Sequence, residues 1–296
     1  MEKVLDIFEK CKRRWEIEQD TENAFQRYPE WLGKMPEELA KIVNSLMPGF
    51  DYYTHQNVNE ELVALHEKLQ KMQGVEFENT IYCVLPNKEG RLNSGYEYII
   101  EYRMLNRLSC HVVIPNLKEM PKEDLDYIEN IVFVDDFGGS GKTFKDYIMA
   151  NKDIMRDKHI YYLVVHVMEK ALKKIEELRI EAKLNISVLY GTCTPAAFER
   201  NFQPAERRKD FKRLSVEYGL PEKNVLGYKN TEALVAFYNN TPNNTLPIFW
   251  KDVEGNKALF PRNDDEKPSW KMMKRDKELR SESNYLRKSR NDRRIC

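Results

Sequence analysis

The sequence predicts an α/β protein whose core is a doubly wound, mostly parallel sheet. Short apolar runs alternate with amphipathic segments from about residue 74 to residue 262. One run, residues 131–134, is apolar at every position, which is typical of a strand covered on both faces. Strands and helices that alternate through short links form βαβ units, and such units build parallel sheets.

The first 73 residues predict a helical lobe in front of this core. Apolar residues recur there at spacings of three and four, the pattern of one buried helix face. Three stripes have this spacing: Val4, Phe8, Cys11 and Trp15; Leu39, Ile42, Val43 and Leu46; and Leu62, Leu65, Leu69 and Met72. Such stripes are typical of core packing, and we assign them no chemistry.

The elements of the core follow from the same patterns. Strands are predicted at residues 81–85, 110–114, 131–134, 160–166 and 186–190, and helices at residues 96–108, 143–150 and 169–182. The charged stretch 191–211 is predicted to be mobile. A last strand at residues 233–238 leads into NNTPNNTLPIFW, where side chains that can bond their own backbone predict turns.

Composition indicates one large or two modest domains. The chain has 296 residues, of which 41% are hydrophobic, and its 48 basic and 48 acidic side chains balance. No apolar run approaches the ~18 residues of a membrane span, and Lys3, Glu9 and Lys10 interrupt the start, where a signal peptide is apolar. We therefore expect a cytoplasmic protein. The five cysteines and five histidines lack the spacing of disulfide, redox or zinc sites.

Residues 131–143, IVFVDDFGGSGKT, place two carboxylates after a central strand and before a glycine-rich loop. Ligands bind at that edge of open α/β sheets, and small residues let backbone N–H groups approach a phosphate where a helix begins. A P-loop is excluded because Asp136 stands where that motif needs its first glycine. If the strand curls there, Asp135 and Asp136 can turn toward the hydroxyls of one ribose, or toward Mg²⁺ carried by a diphosphate.

The order of four apolar residues, two acids, four loop residues and Gly-Lys-Thr resembles the ribose-phosphate loop of type I phosphoribosyltransferases, most closely the hypoxanthine-guanine branch. The resemblance implies that Asp135 and Asp136 contact the ribose, with a 5′-phosphate against Gly138, Gly139, Ser140, Gly141, Lys142 and Thr143. It also implies a pyrophosphate-binding loop at residues 86–95, with Lys88, Arg91 and Ser94 as its candidates. Gly139 departs from the pattern, because salvage enzymes usually carry an acid there, near the base.

The end of the core narrows the resemblance. The loop together with residues 225–262, which contain NNTPNNTLPIFW and end in LFPR, is similar to PRTase-CE, a phosphoribosyltransferase-like family of bacterial conflict systems. The resemblance implies a toxic effector of an anti-phage system, of the kind found beside the reverse transcriptase of a retron.

Residues 225–262, the hood segment, have two interpretations. One is a structural loop that caps the sheet edge, and the other is a lid near the nucleobase. The lid would offer aromatic faces and amide groups to the base. Its candidate residues are Phe237, Tyr238, Trp250, Asn239, Asn243 and Asn244.

Residues 263–296 form a basic tail. They hold eleven Lys and Arg against seven Asp and Glu, a net charge of +4, with Trp270, Met273, Lys277 and Tyr285 among them. Such tails commonly meet nucleic acid or an acidic partner, and a solvated tail with no fixed partner fits equally well. In a retron system, the tail or the helical lobe would contact the reverse transcriptase or its RNA/DNA hybrid.

These observations together predict an enzyme that makes or breaks a bond at the anomeric carbon of ribose. Its ligand would be phosphoribosyl diphosphate or a nucleotide, and its cofactor Mg²⁺. Two alternatives stay open: a nucleobase salvage phosphoribosyltransferase, which Gly139 and the unusual ending disfavour, and a non-catalytic module that senses a phosphoribosyl ligand. The predicted organisation is a helical lobe at residues 1–73, a type I phosphoribosyltransferase-like core at 74–262 and the basic tail at 263–296.

Overall fold

The computed structural model describes residues 19–86, 93–200 and 204–262, together with Ile7, residues 9–11, Arg14 and Trp15. Three parts of the predictions lie outside the described residues: the basic tail, the candidates Lys88 and Arg91, and part of the first apolar stripe. No described helix has the length and apolar character needed to cross a bilayer.

The amino-terminal lobe is helical, as predicted, and it also holds one short strand. Its elements are α1 (Gln19–Gly33), α2 (Glu37–Leu46), β1 (Asp51–Tyr53) and α3 (His55–Gln70). The apolar stripes of α2 and α3 are buried. α3 begins with a capping box, in which the Thr54 side chain accepts a hydrogen bond from the backbone N–H of Asn57.

Five parallel strands form the central sheet: β2 (Thr80–Cys83), β3 (Val113–Ile114), β4 (Asn130–Gly138), β5 (His159–Met168) and β6 (Asn185–Thr194). They lie in the order β3-β2-β4-β5-β6, and every neighbouring pair is parallel. From β2 the chain moves outward to β3 at one edge of the sheet. From β4 it moves outward through β5 to β6 at the other edge. In sheets of this order, ligands bind at the carboxyl ends of the strands where the direction reverses.

Helices cover both faces of this sheet. They are α4 (Ser94–Leu105), α5 (Lys122–Tyr127), α6 (Lys142–Ala150), α7 (Lys152–Met155) and α8 (Glu169–Ala182), together with α3 of the lobe. The last helix, α9 (Pro204–Glu217), instead packs in the core that the lobe shares with the hood segment, through the buried ring of Phe211. On one face Ile131 and Phe133 of β4 pack with residues of α6 and α8. On the other face Val132 and Val134 pack with residues of α3 and α4. The prediction of a doubly wound parallel sheet with a helical lobe is therefore confirmed.

Two predictions about local structure are wrong. Only Val113–Ile114 of the strand predicted at 110–114 joins the sheet, because Ser109 accepts a hydrogen bond from the backbone of His111 and starts a 3₁₀ turn. In the stretch 191–211, predicted to be mobile, residues 191–194 continue β6 and residues 204–211 begin α9, while residues 201–203 lie outside the described residues. Its aromatic residues explain this order, since the buried rings of Phe198 and Phe211 lie 5.2 Å apart.

The hood segment and the lobe share one hydrophobic core. β7 (Val235–Phe237) pairs in parallel with β1, a two-stranded sheet that the sequence did not predict. The Phe50 ring, just before β1, stacks on Phe260 at 4.7 Å and lies 4.8 Å from Phe249. The domain boundary at residue 73 stays a prediction. The ring contacts of Phe50 nevertheless join the lobe to the end of the hood segment.

Candidate active site

The two adjacent carboxylates lie within β4, not in the loop after it. Asp135 pairs in register with Val164 of β5, and the strand continues to Gly138. Successive side chains of a strand leave on opposite faces, and the partners come from opposite sides of the sheet. The Tyr162 hydroxyl of β5 donates a 2.8 Å hydrogen bond to Asp135 Oδ2, while Ser94 Oγ, at the start of α4, donates a 3.0 Å bond to Asp136 Oδ1.

The main electrostatic feature of the carboxylate pair is the raised pKa of Asp135. Burial raises the pKa of its carboxyl well above the usual range, and the neighbouring Asp136 raises it further. The hydrogen bonds from Tyr162 and from the backbone N–H of Asp136 act in the lowering direction but do not cancel this effect. Burial and the Asp135 carboxylate also raise the pKa of Tyr162. A cation, or hydroxyl donors from a sugar, would relieve the unfavourable charge at this edge.

The glycine-rich loop turns the chain from β4 into α6. Gly141 precedes the helix with φ of 67°, and a Cβ at this position would lie 3.1 Å from the carbonyl oxygen of Ala171. Glycine adopts this left-handed conformation without the cost that other residues have. The first N–H groups of α6, which have no partner within the helix, therefore lie beside the loop.

The charged side chain of the loop already has a partner. Lys142 Nζ forms a 2.6 Å ion pair with Asp146, one turn further along α6. Ser140 Oγ accepts a 3.4 Å bond from the Lys142 backbone N–H, and Thr143 is exposed. Backbone N–H groups are thus the main anion donors that the loop presents, with Lys142 directed to Asp146.

The predicted pyrophosphate loop is described only at its ends. Asn93 Nδ2 donates a 2.9 Å bond to the Leu85 carbonyl, which ties the two ends together. Ser94, whose contact with pyrophosphate stays a prediction, donates a hydrogen bond to Asp136. The start of α4 therefore lies beside the second carboxylate.

The hood segment is anchored on α4. Asn239 Nδ2 donates a 2.9 Å bond to Glu97, and the Tyr238 hydroxyl donates a 3.4 Å bond to Glu101. The Tyr238 ring also lies 4.7 Å from that of His55, which pairs with Glu101. The helix α4 begins with Ser94, which contacts Asp136. Tyr238 and Asn239 therefore pack against the same helix that contacts the carboxylate pair.

Three other hood candidates have different surroundings. Phe237 is buried and stacks on Tyr53 at 5.0 Å, so it offers no face to a base. Trp250 Nε1 donates a 2.8 Å bond to the Thr245 carbonyl, inside the hood itself. Asn243 is exposed, and its backbone oxygen accepts a 2.8 Å bond from Tyr228.

Asn244 is the hood residue that reaches the loop. A Cβ on Gly139 would lie 2.5 Å from the Asn244 amide carbon. This contact explains the departure at Gly139, because the amide fills the space in which a loop side chain would stand. The sequence showed an unexpected glycine in the loop and an asparagine-rich hood, but no local pattern indicated that the two are in contact.

The comparison with known families settles which group of proteins this site belongs to. The PRTase-CE family matches residues 29–262. The chain belongs to this family. The match includes most of the lobe, the carboxylates, the glycine-rich loop and the whole hood up to Arg262.

Comparisons with individual proteins are less informative about this chain than the match to the PRTase-CE family. No curated protein matches the chain. Among solved structures, the xanthine-guanine-hypoxanthine phosphoribosyltransferase of Helicobacter pylori is similar at 15% identity and a TM-score of 0.32, over 49% of this chain and 84% of that one.

The carboxylates of this PRTase-CE protein fit one kind of metal site. In the part of the chain that the structure describes, no three or more His, Cys, Asp or Glu side chains cluster as metal ligands. Mg²⁺ is usually held by one or two carboxylates together with substrate phosphates. Asp135 and Asp136 therefore suit an ion that arrives with a diphosphate better than a resident ion held by protein groups alone.

Proposed function

We propose that this protein binds the ribose 5-phosphate group of phosphoribosyl diphosphate or of a nucleotide, and makes or breaks the bond at its anomeric carbon. The observation that carries the proposal is the position of Asp135 and Asp136. They lie near the carboxyl end of the central strand, where the strand order reverses, and the strand then leads through a glycine-rich loop into a helix N-terminus.

Each part of the ligand has a matching part of the site. The 5′-phosphate, which accepts hydrogen bonds, matches the backbone N–H groups from Gly139 to Thr143. The ribose hydroxyls, which donate them, match the carboxylates of Asp135 and Asp136. Because these two side chains leave β4 on opposite faces, a ribose that contacts both would lie across the end of the strand, with one hydroxyl at each carboxylate. Mg²⁺, when bound, would lie at these carboxylates and supply positive charge to a departing or attacking diphosphate.

The chemistry at the anomeric carbon needs mainly position and charge. A bond that breaks there leaves positive charge on the ribose ring, in an oxocarbenium-like state, and carboxylates beside the ring stabilise that charge. Ser94 and Tyr162 hold the two carboxylates in place through hydrogen bonds. A carboxylate that is already oriented loses less entropy when the substrate binds.

The biological role we propose is that of an effector in bacterial anti-phage defence, associated with a retron and acting in the cytoplasm. Its support is the family resemblance carried by the loop and the hood. Toxicity would follow from consumption of phosphoribosyl diphosphate or from modification of a nucleotide, base or nucleic acid. The reverse transcriptase and its RNA/DNA hybrid would then be the partners, with the lobe or the basic tail as the contact.

A non-catalytic sensing module is the second candidate. The observation that favours it is that Lys142 pairs with Asp146 and that both carboxylates already accept hydrogen bonds within the chain. Such a protein would bind the phosphoribosyl ligand without converting it. A salvage transferase is disfavoured, because the Asn244 amide occupies the space beside Gly139 where a loop acid would stand.

Calorimetric titration of phosphoribosyl diphosphate with Mg²⁺ tests the proposal. Wild type is compared with Asp135→Asn/Asp136→Asn and with a matched double variant, Asp124→Asn/Asp126→Asn, on the exposed surface of α5. We expect binding by wild type and the α5 variant and none by the site variant. Equal binding by all three proteins would refute the site.

Incubation of the same three proteins with the ligand then separates the two candidates. Release of diphosphate by wild type but not by the site variant supports an enzyme. Binding without any conversion, in the presence of the purified reverse transcriptase and its hybrid, supports the sensing module.

A further inference from the structure

The side chain of Asn244 fills a gap in the glycine-rich loop. A Cβ built on Gly139 would lie 2.5 Å from both Cγ and Nδ2 of Asn244, and 2.7 Å from Cε1 of Phe137. Real Cβ atoms do not approach other atoms so closely, so no other residue fits at position 139 without movement of the hood. The loop therefore presents a side chain that comes from the hood segment rather than from its own sequence.

The Asn244 amide is held in one orientation. Nδ2 donates to Thr231 Oγ1 at 2.9 Å and to the Tyr228 carbonyl at 3.3 Å. A carbonyl oxygen can only accept, so the nitrogen of the amide, and not its oxygen, must face Tyr228. Within the described residues, this leaves Asn244 Oδ1 as the atom of the amide that accepts no hydrogen bond, and the residue is half-buried.

The backbone of Asn244 is held as firmly as its side chain. Its carbonyl oxygen accepts bonds from Thr231 Oγ1 at 3.0 Å and from the Ala233 N–H at 3.1 Å. Gly227 lies against the same carbonyl and has φ of 77°, so any side chain at position 227 would clash with Asn244.

The turn that holds Asn244 is itself strained. Lys229, Asn230 and Glu232 all have positive φ values, between 51° and 57°. Left-handed conformations cost residues other than glycine about 1 kcal/mol or more each. Strain of this kind persists where the surrounding structure enforces it, and it is common where a ligand is held.

We infer that Asn244 is a specificity-determining residue whose Oδ1 accepts a hydrogen bond from a neutral N–H or O–H donor of the ligand bound at the loop. This inference rests on the proposed function, because it needs a phosphoribosyl ligand there. The donor is either an N–H group of a nucleobase or a hydroxyl of the ribose. A diphosphate cannot supply it, since its oxygens only accept.

Two probes distinguish these sources in a calorimetric titration. Ribose 5-phosphate carries hydroxyl donors alone, and guanosine 5′-monophosphate adds the N–H donors of its base. We expect Asn244→Ala to weaken the binding of at least one probe about tenfold, the effect of one lost hydrogen bond. An equal loss for both probes assigns the bond to a ribose hydroxyl, and a loss for guanosine 5′-monophosphate alone assigns it to the base.

A second variant and a control complete the test. Thr231→Val keeps the Asn244 side chain but removes the hydroxyl that holds both its amide and its backbone carbonyl, and it should weaken the same probe by a smaller factor. It also decides the matter if Asn244→Ala does not fold. Asn185→Ala changes an exposed asparagine at the amino end of β6, the opposite edge of the sheet, and should bind both probes as wild type does.

The outcomes separate this inference from the proposed function. If wild type binds the probes and both hood variants bind them within twofold of wild type, Asn244 has no such role and the proposed function stands. If wild type binds phosphoribosyl diphosphate with Mg²⁺ but neither probe, the inference fails and the proposed function stands. If wild type binds none of the three ligands, both fail.

Discussion

Ser94 Oγ donates a 3.0 Å hydrogen bond to Asp136 Oδ1 and so joins the first residue of α4 to the second carboxylate of β4. The two residues are 42 positions apart in the chain. The sequence assigned Ser94 to pyrophosphate and Asp136 to ribose, yet the fold brings them into direct contact. The candidate site is therefore built from the carboxyl end of β4 and the start of α4.

Replacement of Ser94 by alanine tests this contact. We expect Ser94→Ala to weaken the binding of phosphoribosyl diphosphate with Mg²⁺ by about tenfold or less, because Asp136 loses the donor that orients it. Isothermal titration calorimetry measures the change. Ser45→Ala removes a comparable 2.7 Å bond, to the Ile42 carbonyl of α2, and should leave the affinity unchanged. Equal affinities for the two variants would contradict a role for Ser94.

The hydroxyl of Tyr162 contributes to the acid–base state of Asp135. Its hydrogen bond acts to lower the pKa of Asp135, against the burial that raises it. Tyr162→Phe should therefore raise that pKa further. If ligand binding needs the ionised carboxylate, the loss of binding on acidification moves to higher pH in this variant. Titrations at a series of pH values measure the shift.

Tyr161 provides the matched control for that shift. It is the adjacent tyrosine of β5, and its hydroxyl bonds His159 at 2.9 Å instead of a carboxylate. Tyr161→Phe should retain the wild-type pH profile. A profile that moves equally in both variants would show that the effect is structural.

Asp135 should also make the stability of the fold depend on pH. Because burial raises its pKa in the folded state, the folded protein keeps this proton at pH values where the unfolded chain, with a pKa of ~3.9, has lost it. Stability should therefore fall as pH rises from the unfolded pKa toward the folded one. Asp135→Asn should remove this fall, so that it is more stable than wild type at neutral pH and the difference shrinks on acidification.

Thermal unfolding of wild type and Asp135→Asn at several pH values measures this difference. Asp124→Asn, at an exposed position of α5, should follow the wild-type curve throughout. A constant difference between wild type and Asp135→Asn at every pH would show that the substitution acts by some route other than the proton.

For a substitution at Gly141 of the glycine-rich loop, Gly255 is the control position. Both have left-handed backbones, with φ of 67° and 75°, but a Cβ on Gly141 would meet Ala171 and Lys174 at 3.1 Å while one on Gly255 meets nothing within 4 Å. Gly255→Ala should cost ~1 to 2 kcal/mol of unfolding free energy from the backbone alone. Gly141→Ala should cost more and should also weaken ribose 5-phosphate binding. Chemical denaturation and calorimetry measure the two effects, and equal losses would contradict the tight fit at Gly141.

Phe50 tests whether the lobe and the hood unfold together. Its ring contacts both Phe249 and Phe260 of the hood. Phe50→Ala should lower the unfolding free energy by ~3 to 5 kcal/mol, the usual effect of an aromatic residue removed from a core. Far-ultraviolet circular dichroism should still show a single transition, because the two segments share one core. Two separated transitions would indicate an independent lobe.

The sequence by itself determined the alternation of the central strands with α4, α6 and α8, and the location of the candidate site. These features depend on local patterns. A wholly apolar run marks β4, alternating elements mark a parallel sheet, and Asp135, Asp136 and the following glycines occupy one continuous stretch. The candidate residues of the hood segment were also identified from a continuous motif, FYNNTPNNTLPIFW.

Only the tertiary structure decided which groups meet. Tyr162 reaches Asp135 because β5 lies beside β4, and Asn244 reaches Gly139 because the hood packs over the loop. β1 forms only because β7, from the far end of the core, pairs with it. Such contacts join residues that are distant in the chain, and their geometry depends on strand order and packing. No local periodicity encodes them, which is why Phe237 looked like a ligand face in the sequence and is a core residue in the fold.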